Sequence, residues 1–423
     1  MNTIINTKTI TPPFFILVVL GFVLPGCATH NRDMSEVANQ LRYNLPLETA
    51  VSKIKGLSTD SNSSAQYQLN LGYLQLISGD FTGALANFEQ AKQTMRALDA
   101  ISVTENIAAA TINETLTSYE GWPTDKVLVH SMMAMAYLLK GDLNGARVEV
   151  LQADVQMKKL AKAKSTLGQL AFSRYFAGVI YELNNELDSA LVSYRQAFTI
   201  LTARKENIPK PLQQSLVDLS ATLGLSQESN KYAKRFKISR SNKPVKKQFI
   251  FAFDGVVSQM AQHKTQLWWD VDDVYLSVAL PRFNRNNYTP NASYIKTPTT
   301  TINTQTIEYV EKRAREDLQS DMAKITTMAL ARAGVKFQSV KELHKSDSTL
   351  GAFANILTIM SEVADTRHWS MLPSSIQVAT SYVSRPNLQI LTKFGTETLN
   401  ISGHTHTVVL LSSLTNKAHT ASY

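Results

Sequence analysis

Apolar and small residues recur in one order along three stretches of the chain, residues 67–91 (YQLNLGYLQLISGDFTGALANFEQA), 130–153 (HSMMAMAYLLKGDLNGARVEVLQA) and 174–197 (RYFAGVIYELNNELDSALVSYRQA). Aligned on Ala84, Ala146 and Ala190, each has a small residue twelve positions earlier (Gly72, Ala134, Gly178). Each has a small or turn residue five earlier (Gly79, Gly141, Asn185), a bulky one four later (Phe88, Val150, Tyr194) and alanine seven later (Ala91, Ala153, Ala197). The order predicts antiparallel helix pairs, with small residues admitting close approach. Gly79-Asp80 and Gly141-Asp142 end one helix and cap the next. Nine positions before the anchors stand Gln75, Tyr137 and Tyr181, which are expected to line the groove between neighbouring hairpins. A degenerate helical pair is predicted over 211–236, short helices over 33–42 and 47–54, and an apolar helical stretch over 101–119 ahead of a Gly121-Trp122-Pro123 turn.

From about Lys247 the pattern changes. Residues 248–253 (QFIFAF) and 274–280 (VYLSVAL) are strand-like, with Pro281 ending the second, and the threonine-rich 297–306 predicts a further strand or extended turn. A long amphipathic helix is expected over 307–334 and a more apolar one over 350–364. Strands are expected at 376–383, 388–394, 398–401 and 405–411, joined by short turns that fit antiparallel hairpins. The predicted architecture is multidomain: an all-α repeat region (63–236) after a tether with short helices (27–62), then a basic linker (237–247) and an α+β domain with an antiparallel sheet (248–423).

The repeated order resembles the tetratricopeptide repeat, although its anchors are spaced wider than that repeat's period of about 34 residues. The tryptophan usual near the repeat start is replaced by Gln68, His130 and Arg174. Stacked hairpins of this kind form a concave face, and the resemblance implies a protein or peptide partner bound there.

The first residues carry a different signal. The apolar run 14–24 has the length of a signal-peptide core and falls short of the ~20 residues needed to span a bilayer. It closes on Leu24-Pro25-Gly26-Cys27, which resembles a bacterial lipobox, with Pro25 departing from the small residue usual there. The resemblance implies cleavage of a signal peptide at 1–26 and a lipid on Cys27 that holds the chain to a membrane. Ala28, rather than aspartate, after the cysteine implies sorting to the outer membrane, on the periplasmic face. Cys27 is the only cysteine of 423 residues, so no intramolecular disulfide supports the fold.

A 44% hydrophobic and 18% charged composition describes a globular chain with formal charge +9. Part of the excess is local: Lys231, Lys234, Arg235, Lys237, Arg240, Lys243, Lys246 and Lys247 stand together without an acid. That stretch reads as a solvated linker, with contact to anionic lipid or an acidic envelope polymer as the alternative. Nucleic acid is not an expected partner of an exported lipoprotein.

The candidates for chemistry are sparse. Asp270, Asp272 and Asp273 beside Trp268 and Trp269 have oxygen-ligand spacing, without the rest of a calcium loop. His404 and His406 share a strand face but lack the further ligands zinc needs. Asp365, Arg367, His368 and Trp369 form a compact group, read first as an ion pair and core plug at a helix-to-strand corner. The alternative is a carbohydrate patch with Trp369 as the stacking surface. No cofactor, metal or complete catalytic motif is expected.

The lead into AMAYLLKGDLNGARVEV, the turn at 253–255 (FDG) and the segment 364–379 (ADTRHWSMLPSSIQVA) together resemble a group of Gram-negative outer-membrane lipoproteins joining tetratricopeptide-like repeats to a strand-rich C-terminal domain. The resemblance implies a role in envelope maintenance, and the repeats together with the lack of a complete catalytic motif favour a non-enzymatic periplasmic adaptor that binds envelope assembly or maintenance proteins through the repeat groove. The alternative is an envelope polysaccharide- or peptidoglycan-acting enzyme, or a carbohydrate-binding protein, with its site in the C-terminal domain.

Overall fold

The computed structural model describes residues 26–57, 64–100, 118–162, 165–241, 246–269, 274–285, 288–296, 301–346, 363–382, 387–392, 395–400 and 406–423. Helices α1 (Gly26–Arg42) and α2 (Leu47–Lys55) lead into four helical hairpins: α3 (Ser64–Ser78) with α4 (Phe81–Ala100), α5 (Pro123–Leu139) with α6 (Leu143–Leu160), α7 (Ala171–Leu183) with α8 (Leu187–Ala203), and α9 (Lys210–Thr222) with α10 (Ser226–Phe236). The repeated residues explain the hairpins. Gly79 and Gly141 turn the chain at φ +94° and +84°, where a side chain would be strained. Asp80 and Asp142 then accept the N–H of Gly83 (2.9 Å) and Gly145 (2.8 Å), capping the second helix. A Cβ on Gly178 would stand 2.5 Å from the Tyr194 ring, and one on Gly72 2.7 Å from Phe88. The small residue of each first helix thus makes room for the bulky residue of the second.

The C-terminal part contains β1 (Gln248–Asp254), β2 (Met260–Trp269), β3 (Val274–Phe283), β4 (Tyr294–Lys296), β5 (Thr301–Asn303), β6 (Gln305–Glu308), α11 (Val310–Ser346), β7 (Ser375–Ser381), β8 (Asn387–Thr392), β9 (Gly395–Asn400), β10 (Thr407–Ser412) and β11 (His419–Ser422). The main sheet runs β11-β10-β1-β7-β6, a smaller one β5-β4-β8-β9, and β2 with β3 makes a separate ribbon. The fold is helical repeats followed by an α+β domain.

The main sheet is mixed rather than antiparallel, because β1 lies parallel to β10 and antiparallel to β7. Of the expected hairpins β8–β9 forms, whereas β7 and β8 belong to different sheets, as do β9 and β10. Pro281 does not end β3, which pairs on to Phe283; an edge position tolerates its missing N–H. Ile307 lies in β6, so the long helix starts at Val310. The expected helices over 101–119 and 350–364 lie almost wholly outside the described residues.

β1 is buried on both faces. Phe249, Phe251 and Phe253 belong to the same core as the helices, while Ile250 and Ala252 pack with Ile295, Val409 and Leu411 toward the smaller sheet. Repeats, main sheet and smaller sheet are therefore three successive layers. The first helices of the first three hairpins, α3, α5 and α7, are buried nearly all round. Tyr73 stacks on Phe253 at 6.2 Å between ring centres, and Phe251 meets Phe176 edge-on at 5.0 Å and Tyr175 and Phe172 at 6.2 Å. The inner face of the repeats is occupied by the chain's own sheet.

Candidate functional site

That packing corrects the expectation of an open groove. Gln75 is buried and held within its own hairpin, donating to Asp80 at 2.8 Å and accepting from Asn87 at 2.7 Å. Tyr181 is buried under Arg147, whose guanidinium lies 6.0 Å from its ring centre. Tyr137 is half-buried over Gly145, where an added Cβ would meet its ring at 2.6 Å. Gln75 and Tyr137 thus pack within their own hairpins, and Tyr181 packs against Arg147 of the preceding hairpin.

The segment around Asp365 is equally closed. Arg367 is buried and grips Asp365 through Nε (2.9 and 3.1 Å) and Nη2 (2.6 Å). Trp369 is 1% exposed and sits edge-on to Phe88 at 5.8 Å, so it offers no surface to a sugar ring. This corrects the carbohydrate-patch alternative. The segment joins the layers instead: Gln66 donates to the His368 carbonyl (2.9 Å), Asn70 accepts the Met371 N–H (2.9 Å), and Trp122 Nε1 donates to the Arg367 carbonyl (3.2 Å). Burial pushes the His368 imidazole down, against the pull of the Thr366 and Ser258 carbonyls.

Asp270, Asp272, Asp273 and His404 lie outside the described residues. His406 is half-buried, with Nδ1 accepting the Lys247 N–H at 3.1 Å. Among the described residues no three His, Cys, Asp or Glu side chains gather as a metal would require. The basic stretch is only partly solvated: Lys231, Lys234, Lys237 and Arg240 are exposed, but Lys247 pairs with Glu182 and Arg235 lies 4.6 Å from the Phe198 ring centre.

Two buried carboxylate groups between the repeats and the C-terminal domain were not foreseen. Glu308, at the end of β6, is wholly buried and accepts the Ala171 N–H (2.7 Å) and Phe172 N–H (3.3 Å) in the first turn of α7, a favourable place for negative charge. Arg204 reaches it at 3.1 Å and Arg313 at 3.4 Å. Burial pushes its carboxyl up while the two guanidinium groups pull it down. On α11, Asp317 accepts the Thr124 N–H at 2.9 Å at the start of α5, and its Oδ1 is buried without a hydrogen bond. Burial pushes Asp317 up to about 8, with Asp125 and Glu316 adding repulsion. Asp125 is pushed up to about 6 by burial, against hydrogen bonds from Tyr119 and the Trp122 N–H. These groups fasten layers together. Nothing in their sequence neighbourhood announces it, because each partner lies on a distant element.

At the end of β1 Asp254 accepts from the Tyr288 hydroxyl and from the Asn291 N–H (2.9 Å), and Tyr288 also meets Ser375 Oγ at 2.9 Å. Gly255 follows at φ +74°. The FDG turn is thereby a closed hydrogen-bonded corner.

An accessible aliphatic strip lies on the second helices. On α6 Val148 (53% exposed), Leu151 (38%) and Val155 (54%) follow one another at helical spacing, and Val192 on α8 (47%) occupies the repeat position of Val148. The strip runs into exposed Lys158, Lys159 and Lys162. Its aliphatic residues do not differ in kind from core positions, and only the assembled fold separates them.

No family profile matches the sequence, and no curated relative matches it. Among solved structures the chain is similar to RapI in its apo form (12% identity, TM-score 0.37, 52% of this chain and 56% of RapI). It is also similar to a Podosopora anserina putative kinesin light chain with nearly identical TPR-like repeats (15%, 0.34, 49% and 92%), and to MamA from Desulfovibrio magneticus RS-1 (10%, 0.34, 50% and 96%). The match spans little over half of RapI's own length. At these scores the likenesses add nothing to what the hairpins themselves establish.

Proposed function

We propose that the chain is a lipid-tethered, non-catalytic scaffold of the bacterial cell envelope that recruits an envelope protein through the outer face of its helical repeats. The observation that carries this reading is the strip Val148–Leu151–Val155 with Val192, left exposed while the inner face is filled. The partner it fits is an amphipathic helix with an acidic flank, apolar along the strip and complementary to Lys158, Lys159 and Lys162. The lipobox-like Leu24-Pro25-Gly26-Cys27 supports the tether, and Ala28 supports the outer membrane as its address. Met34 is wholly buried, about 10 Å along α1 from Cys27, so a lipid there would hold the body close to the bilayer.

The test is photo-crosslinking in cells from a probe at Leu151, comparing parent, Val148→Asp/Val155→Asp and a control, Thr327→Asp, at an exposed position of α11. Adducts that map to an apolar helix with acidic neighbours, and that the double substitution alone abolishes, support the reading. Adducts unchanged by the double substitution refute it. Radiolabelled palmitate incorporation lost in Cys27→Ser tests the tether separately.

A further inference from the structure

β2 and β3 form a ribbon lying along α11, with Leu276 and Val278 packed on Ala329 and Ala333 and with Met260 and Phe283 packed on Leu318. Where the ribbon's base meets the helix an open groove of about 660 Å³ remains. One wall is a single face of α11: Arg315, Leu318, Gln319 and Met322. The other is Leu280, Pro281 and Phe283 with His263, Arg282 and Arg285. A second depression of about 390 Å³ continues past the same His263, Arg282 and Arg285. Among the described residues no carboxylate lines either one.

The three arginines are not equivalent. Arg315 is committed: it donates to Glu311 at 2.6 and 2.9 Å, to Ser258 Oγ at 3.1 Å and to the Asn284 carbonyl at 2.7 Å, with its guanidinium 5.2 Å from the Phe283 ring centre. The side chains of Arg282 and Arg285 are exposed and form no ion pair or hydrogen bond among the described residues. A protein gains no folding stability from two cations left together without a counter-charge. Guanidinium groups match phosphate oxygens in pairs, which a lysine would not do. Beside them the floor is aliphatic, from Leu280 across Leu318 to Met322. Charge at one end and hydrocarbon along the rest is the complement of an anionic amphiphile.

We propose that this groove binds an anionic phospholipid, its headgroup phosphate held by Arg282 and Arg285 and the start of an acyl chain lying on Leu280, Leu318 and Met322. The inference stands apart from the repeat's outer strip and from the lipid on Cys27.

The test uses the purified full chain carrying Cys27→Ser, so that a lipid of its own plays no part. Binding is measured to vesicles of equimolar phosphatidylglycerol and phosphatidylcholine, then to phosphatidylcholine alone. Competition follows with a short-chain phosphatidylglycerol below its micellar concentration, and with glycerol phosphate. Arg282→Gln/Arg285→Gln is expected to weaken binding to the anionic vesicles about thirtyfold, the effect of two arginine headgroup contacts. Lys231→Gln/Lys234→Gln, which removes the same charge elsewhere, is expected to change it less than threefold. The short-chain lipid should compete at concentrations where glycerol phosphate does not. Equal losses from the two double substitutions would show diffuse attraction of a basic protein and overturn the site. Equal competition by glycerol phosphate would show binding of a free anion and overturn the apolar half of the proposal. Both arginines are exposed, and unchanged melting of the variant confirms that the fold is intact.

Discussion

Asp317→Asn isolates the electrostatic cost of fastening α11 to the repeats. Asp317 is 1% exposed, makes its hydrogen bond to the Thr124 N–H with one oxygen, and has none for the other. Burial raises its carboxyl from 3.8 to about 8. Between those values the folded chain holds a proton that the unfolded chain has released. The stability this site contributes is therefore complete below pH 3.8 and is lost progressively as pH rises through about 8. Four pKa units at about 1.4 kcal/mol each set a ceiling of about 5–6 kcal/mol. Water entry and local relaxation lower it, and about 2–3 kcal/mol is the expected measurable effect.

Asparagine keeps an acceptor for Thr124 and never ionises. Its amide nitrogen gains no partner where Oδ1 had none, which costs about 1–3 kcal/mol at every pH. The informative quantity is thus the difference in pH slope, not the stability at one pH. Urea unfolding followed by tryptophan fluorescence and circular dichroism, at about pH 5 and about pH 8.5, should show Asp317→Asn gaining about 2–3 kcal/mol on the parent over that interval. Parallel profiles for the two proteins would refute the assignment of a buried, proton-retaining carboxyl.

Gly178→Ala should lower stability by about 1–3 kcal/mol in the same unfolding assay, because the new methyl enters the Tyr194 ring; an unchanged midpoint would mean the helices of that hairpin can move apart freely. Glu308→Gln leaves Arg204 and Arg313 buried together and weakens the charge at the start of α7. It should cost about 3–5 kcal/mol and speed amide exchange at Ala171 and Phe172, and a loss below about 1 kcal/mol would contradict the ion lock.

What the sequence revealed follows the range of the interactions. The hairpins were readable because Gly79-Asp80, Gly141-Asp142 and the pairs Gly72–Phe88 and Gly178–Tyr194 act within a few turns of one another. β1 was readable because QFIFAFD is apolar on both faces. β2 was missed because most of Ala261, Gln262, His263, Lys264 and Gln266 face solvent on either side of the ribbon, leaving no alternation to detect. The parallel pairing of β1 with β10 is set by contacts between segments far apart in the chain, which no local pattern encodes. The filled inner face did leave a trace: VLVHSMMAMAYLL in α5 is apolar around its circumference, and a helix of that kind must be covered on every side.

The identity of that cover changes what the repeats are for. Tyr73, Phe172 and Phe176 from the helices, with Phe251, Phe253 and Trp369 from the C-terminal domain, meet in one core. At about 2 kcal/mol for each buried aromatic, these six side chains contribute about 12 kcal/mol, as large as the stability of a typical whole domain. A partner peptide entering the inner face would have to displace that contact, and no ordinary interface segment offers as much. Function by opening the groove is therefore energetically closed to this chain. The repeats act as a cradle that holds the sheet, and the surfaces proposed for recognition lie away from it: the aliphatic strip on α6 and α8, and Arg282 with Arg285 at the base of the ribbon.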